Sequence, residues 1–212
     1  MGHARDERYA PRTHDDVVAL LRQQPMAWLA SPGHDGCATP LPLRPELDAQ
    51  GRLVALRGHL ALRNPQLEAL RADPRARAFV LGPHAYVSAS WLDDRTQAPT
   101  WNYAAAAFAL QVSLLEDAAS VAAELDALAA QMEAGRPRAW RTADMGARYA
   151  RLAQGVVAFR ARIDGVRATF KLGQDERAGD FAQILAGLDA AGERALAQWM
   201  RAFDARTPED GA

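Results

Sequence analysis

The fold is decided by the stretch Gly82-Pro83-His84-Ala85-Tyr86-Val87-Ser88-Ala89-Ser90-Trp91, followed after a polar loop by Pro99-Thr100-Trp101-Asn102-Tyr103. Ala76 to Leu81 and Ala85 to Ser90 read as strands separated by Gly82-Pro83. Trp101 to Leu115 reads as a long strand, although its alanine run alone is equally compatible with helix. Aromatics mixed with small hydroxyl-bearing residues suit a flat heteroaromatic ligand, stacked on apolar faces and held by a few hydrogen bonds. The same Trp and Tyr residues would also pack at a barrel rim, and His84 alone reads as a hydrogen-bonded turn residue.

Upstream, Asp15 and Asp16 precede Val17, Val18, Leu20 and Leu21, whose spacing predicts a short helix ending near Gln24 and Pro25. Met26 to Ser31 and Cys37 to Leu43 read as strands joined by an Asp35-Gly36 hairpin turn. A turn through Pro45 to Gly51 leads to a third strand, Arg52 to His59. Asn64-Pro65 places a capping residue before a proline at the first position of a helix that Pro74 ends.

Downstream, Asp117 to Ala134 is helical by composition, with Val121, Leu125, Leu128 and Met132 on one face. A further helix around Ala143 to Ala153 precedes two strands, Val156 to Ile163 and Val166 to Leu172, joined by the hairpin signal Asp164-Gly165. Two amphipathic helices follow, one with Phe181, Ile184 and Leu188, the other with Leu196, Trp199, Met200 and Phe203. Many short strands with inserted and terminal helices make this an α+β domain built on a β-barrel.

Composition narrows the functional classes. The formal net charge of −1 gives no overall basic field for nucleic acid or anionic membranes. No apolar run approaches the roughly 20 residues of a membrane span, and the polar leader lacks a signal-peptide core, so the expected location is the cytoplasm, with no membrane partner. Cys37 is the only cysteine, which excludes an internal disulfide and a Cys-based zinc site. Lys171 is the only lysine among 25 basic residues, consistent with a position that needs a compact ammonium. No P-loop, Rossmann glycine fingerprint, nucleophile elbow or paired-histidine zinc motif is present, and no residue stands out as an obligatory acid or base.

Three polar groups remain at strand ends. The first, Gly58-His59 through Arg63-Asn64-Pro65-Gln66, joins a strand to a helix; a helix start and Arg63 favour an anion, while the simpler reading makes Asn64 a cap and Arg63 a solvated charge. The second is the aromatic stretch already quoted. In the third, Thr169 to Asp175, Lys171 is placed either to contact a phosphate or a reduced flavin, or to form a surface ion pair.

Taken in order, Tyr9-Ala10-Pro11, Ala38-Thr39-Pro40-Leu41-Pro42-Leu43, Gly58-His59 with Arg63-Asn64-Pro65-Gln66, Gly82 to Ser88 with Ser90-Trp91, Pro99 to Tyr103, and Gly155-Val156-Val157 leading to Lys171-Leu172 resemble the PaiB family of FMN-binding negative transcriptional regulators. The resemblance implies an antiparallel, Greek-key, FMN-binding split β-barrel over residues 9–188, with 189–212 a C-terminal helix and tail. It further implies a homodimer with FMN at the subunit interface. The implied cofactor contacts are Thr39, Leu41, His59, Arg63, Asn64, Ser88, Trp91, Trp101, Asn102, Lys171 and Gln174, with Trp101, Asn102 and Lys171 lining one cleft.

Four positions depart from the family pattern. Pro40 and Ala107 stand where histidines are usual, and Gly173 and Asp175 replace a hydroxyl and an amide. Asp175 adds a charge that repels phosphate, so FMN binding is expected to be weakened or lost. The resemblance implies a PaiB-type negative regulator of transcription; the alternative is an FMN-dependent oxidoreductase acting on a small molecule. Without a helix-turn-helix signature or concentrated basic element, direct DNA contact is not expected.

Overall fold

The structure, a computed structural model, describes residues 7–32 and 37–205. The Asp35-Gly36 turn lies outside them. Seven strands, β1 (Met26–Ala30), β2 (Ala38–Pro42), β3 (Arg44–Leu47), β4 (Leu53–Ala61), β5 (Arg75–Val87), β6 (Thr100–Leu115) and β7 (Val156–Lys171), form one sheet in the order β2-β1-β5-β6-β7-β4-β3. The pairs β1–β2, β1–β5, β3–β4 and β4–β7 are antiparallel. The helices are α1 (His14–Gln23), α2 (Gln66–Ala72), α3 (Ala118–Glu133), α4 (Arg148–Ala153), α5 (Ala178–Ala191) and α6 (Arg194–Phe203). Among the described residues no helix is long and apolar enough to cross a membrane.

Several sequence expectations are corrected. Gly82-Pro83 does not end a strand: β5 runs through it, and its in-out alternation slips by one residue there, leaving both buried. Gly82 is required at this place, because a Cβ would stand 2.4 Å from Leu20 Cδ1 and 3.0 Å from the Ala104 carbonyl oxygen. Asp164-Gly165 makes no hairpin either, since β7 is continuous and its first half pairs with β4 from Ala61↔Val156 to Ala55↔Arg162. A turn dipeptide needs flanking segments free to pair with each other, and here one flank already has another partner.

Part of the expected turn at Pro45 is the short strand β3. It is only four residues long and contains Pro45, so it reads locally as a turn. The turn proper is Asp48 to Arg52, where the Asp48 carboxylate accepts from the Gln50 and Arg52 amides and Gly51 has φ +78°. The helix expected over Ala143 to Ala153 is broken at Gly146 into a 3-10 turn, Thr142–Met145, and α4.

The described chain divides into two compact units. One comprises Leu21–Val80 and Ala107–Arg167 and buries Leu29, Leu43, Leu56, Leu60, Phe108 and Phe159. The other comprises the chain up to Leu20, Leu81–Ala106 and the chain from Ala168. Its core centres on Phe170, which stacks on Trp199 and Phe203 of α6 at centroid distances of 5.7 and 5.3 Å. The Arg12 guanidinium lies 3.8 Å over the Phe203 ring. Residue 188 lies within α5, and α5 packs on α6.

Candidate ligand-binding site

In the first unit, the turn after β4 is built as a brace. Asn64 Nδ2 donates to Thr39 Oγ1 at 3.0 Å, and Asn64 Oδ1 accepts from the Gln66 amide at 2.9 Å. Gln66 is wholly buried and its Nε2 donates to the Leu29 carbonyl and Ser31 Oγ. The Asn-Pro-Gln sequence thus ties the entry to α2 onto the β1–β2 hairpin, and brings Thr39 and Asn64 together. Helix α2 has only seven residues, so its dipole adds little. Arg63 is exposed and makes no ion pair among the described residues.

Leu41 is buried, and strand alternation turns Pro40 to the opposite face. Pro40 there pairs with Trp28, and Trp28 with Phe79, giving a cross-strand row on three neighbouring strands. Trp28 and Phe79 are 54% and 46% exposed. A loss of the family's histidine at this position therefore makes an already open face more apolar.

On β4, His59 Nδ1 is buried without a hydrogen-bond partner. Burial pushes its pKa below the usual imidazole value, and the charge of Glu124 only partly restores it, so the ring is neutral at neutral pH. Glu124 itself is buried and forms a two-point pair with Arg44, Nη2 to Oε2 at 2.6 Å and Nε to Oε1 at 3.2 Å. Glu46 is gripped by Arg57 at 2.6 Å and Arg160 at 2.7 Å. Burial alone would raise the Glu46 carboxyl, but the hydrogen bonds from both arginines outweigh it and hold its pKa below the usual range.

The second unit carries the aromatic group. His84 Nδ1 lies 2.9 Å from the Gly82 carbonyl oxygen, and its ring stacks on Trp101 at a centroid distance of 6.3 Å. Tyr86 meets Trp101 edge-on at 6.0 Å. Together they form an open shelf, with Trp101 55% exposed and Tyr86 47%. Tyr86 was legible through its two-residue spacing from His84, which puts both on one face of the strand. Lys171 Nζ donates to Thr100 Oγ1, on the face of β6 opposite Trp101. Lys171 is half-buried and has no carboxylate partner among the described residues.

Other expected contacts are committed elsewhere. Asn102 points to the face opposite Trp101: it is wholly buried, its Nδ2 lies 3.6 Å from Met200 Sδ, and its Oδ1 has no partner. Trp101 and Asn102 therefore do not share one surface, as adjacent strand residues cannot. Trp91 packs on α5, where a Cβ at Gly187 would come within 2.3 Å of its ring. Ser88 accepts from the Ser90 amide and pairs with its hydroxyl. Gln174 staples the end of β7, donating to the Phe170 carbonyl at 2.5 Å and accepting from the Leu172 amide at 2.7 Å.

Two departures acquire structural reasons. Gly173 has φ +82°, and a Cβ there would lie 3.0 Å from Met200 and 3.1 Å from Phe181. Asp175 accepts from Tyr9 Oη at 2.5 Å and lies 3.9 Å from Arg8 Nη1. Its charge is therefore compensated, and the expected repulsion of a phosphate is reduced.

The α+β scaffold built on one seven-stranded sheet is the fold of the FMN-binding split β-barrel class. Two solved structures share the fold. The FAD and heme binding protein from Mycobacterium smegmatis matches with a TM-score of 0.56 at 20% identity, covering 76% of this chain and 72% of that one. The flavocytochrome from Azotobacter vinelandii matches with a TM-score of 0.57 at 17% identity, covering 79% and 72%.

The chain belongs to the family described as "Putative FMN-binding domain", whose model matches residues 5–165. It is 32% identical over 130 residues to the Protease synthase and sporulation protein PAI 2 of Bacillus subtilis. That match covers 60% of this chain and 61% of the relative, so about three-fifths of the relative's length is spanned. The PaiB resemblance read from the motifs is thereby confirmed.

Proposed function

We propose that this protein binds FMN as a homodimer and acts as a PaiB-type negative regulator, through its flavin-bearing dimer rather than by reading DNA itself. The observation that carries the flavin reading is the open His84–Trp101–Tyr86 shelf; Lys171, a half-buried ammonium without a carboxylate partner among the described residues, is held by Thr100 at the start of the same strand as Trp101. A planar heteroaromatic ring with a negative charge complements both features, so the residues present fit FMN. Trp101 would stack on the ring, and Lys171 is the candidate cation for its negative charge. FMN, when bound, supplies electron transfer through its ring system. The homodimer rests on the exposed row Pro40, Trp28 and Phe79, since a second copy would remove this apolar face from water.

The test compares wild type with Lys171→Met by quenching of FMN fluorescence. A buried or half-buried charged hydrogen bond is worth roughly 1.5–3 kcal/mol, so the variant should bind at least about tenfold more weakly. Equal affinity would remove Lys171 from the site. With FMN loaded, the regulatory reading predicts no sustained NAD(P)H consumption across a panel of small acceptors; steady turnover would establish the oxidoreductase alternative instead.

A further inference from the structure

The helical insert between β6 and β7 encloses a trough that none of the features above uses. Its larger section, about 420 Å³, is lined by Leu125, Leu128 and Met132 of α3 and by Trp140, Tyr149 and Leu152. A smaller hollow of about 280 Å³ shares Ala129, Trp140 and Thr142 with it and adds Asp126 and Arg141. The larger section falls within the roughly 300–1,000 Å³ typical of small-molecule sites.

The sequence puts Val121, Leu125, Leu128 and Met132 on one face of α3, the face an amphipathic helix would bury. Of these only Val121 is buried; Leu125 and Leu128 are half-buried, and Met132 is 46% exposed. Trp140 and Leu152 are likewise 42% and 54% exposed. An apolar face is thus assembled and then left partly open. Tyr149, which lines the trough, has its hydroxyl buried with no hydrogen-bond partner. An unsatisfied buried hydroxyl is costly unless something else supplies a partner.

Charge on the insert is unevenly engaged. Glu124 is taken by Arg44, Asp126 accepts from Thr142, and Glu133 accepts from the Trp140 amide and lies 3.6 Å from Arg136. The arginines are freer. Arg141 reaches Asp144 only at 3.7 Å with its side chain 80% exposed. Arg138, Arg148 and Arg151 are exposed and have no ion pair among the described residues, and the last two immediately precede the lining residues Tyr149 and Leu152. Arg141 thus puts an exposed cation in the lining of the smaller hollow, where Asp126 is the one acidic lining residue.

We propose that this trough binds an amphipathic monocarboxylate, its apolar body lying along α3 between Leu128, Met132, Trp140 and Leu152 and its carboxylate at Arg141. The site is independent of the flavin reading, and an effector of this chemistry would enter through the insert alone.

The test titrates the full-length protein, with and without FMN, with 11-(dansylamino)undecanoic acid and reads energy transfer from tryptophan. Saturable binding of one probe per chain is expected, with decanoate displacing it better than decanol and a molar mass unchanged by the probe. Ala129→Trp, which fills the junction of the two hollows, should weaken binding by more than about tenfold. Arg141→Gln, on an exposed side chain that the fold does not need, should weaken it up to about fivefold at an unchanged melting temperature. Trp140→Phe should remove most of the transfer. Non-saturable binding, no binding, equal affinity in both Ala129→Trp and Arg141→Gln, equal displacement by decanol, or probe exclusion by a second copy of the chain would each overturn the proposal.

Discussion

Replacing Glu124 by alanine should be among the most damaging single changes in the first unit. Its carboxylate is 3% exposed and meets the Arg44 guanidinium at two points, 2.6 and 3.2 Å apart, while Arg44 is itself only 17% exposed. Deleting the acid leaves a largely buried cation uncompensated, which costs about 3–5 kcal/mol. For a chain of 212 residues, each kcal/mol moves the melting temperature by about 2–4 °C, so Glu124→Ala should melt about 6–20 °C below wild type. Replacing both partners, Arg44→Met with Glu124→Leu, should recover most of the loss, because the ion pair's desolvation cost disappears with it. Thermal and urea unfolding followed by circular dichroism measure both. A drop under about 2 °C in Glu124→Ala would refute the reasoning, as would a double variant no better than the single one.

Other consequences follow from the same geometry. Burial lowers the folded-state pKa of His59, so from about pH 6.5 downward the unfolded chain binds more protons than the folded one and stability is lost as pH falls; His59→Gln should flatten this acid limb in urea midpoints measured from pH 7.5 to 5, and an unchanged limb would exclude His59 as its source. Trp28→Ser combined with Phe79→Ser should convert a dimer to a monomer by light scattering while changing the melting temperature little, since both side chains are about half exposed; an intact dimer would move the interface elsewhere. Gly187→Ala should cost about 1–3 kcal/mol in urea unfolding, because its Cβ would lie 2.3 Å from the Trp91 ring, and a neutral result would mean that this ring is free to shift.

Much of the architecture was legible because local chemistry and tertiary pairing agree. The Asn64-Pro65-Gln66 turn, the long strand β6 and the Asp117 start of α3 all stand where their residue types place them; the Asp117 carboxylate accepts from the Ser120 amide at 2.8 Å. The misread places are those where distant partners outweigh a local signal. Asp164-Gly165 spells a hairpin, but the residues before it are recruited by β4. Gly82-Pro83 spells a break, yet the approach of Leu20 and Ala104 explains the glycine within a continuous strand. Strand β3 is four residues with a proline among them, too short for its alternation to stand out.

Site residues were legible in type more than in orientation. Trp101 stacks with His84, and Lys171 is bonded to Thr100. Trp91, Ser88 and Gln174 instead spend their side chains on packing or on bracing turns. Spacing in a motif does not disclose which side of a strand a residue faces once a register slip intervenes, as β5 shows. Nor could it reveal that Asp175 is compensated by Tyr9 and Arg8, more than 160 residues away in sequence.

The central claim is that this chain retains a flavin site despite Pro40, Ala107, Gly173 and Asp175. Its most direct test is to incubate the purified protein with FMN, remove the excess by gel filtration, and record the visible spectrum and molar mass of the eluting peak. One FMN per chain, travelling with a dimer, is the predicted result. A colourless peak at saturating FMN would contradict it and leave the family's barrel without its cofactor in this protein.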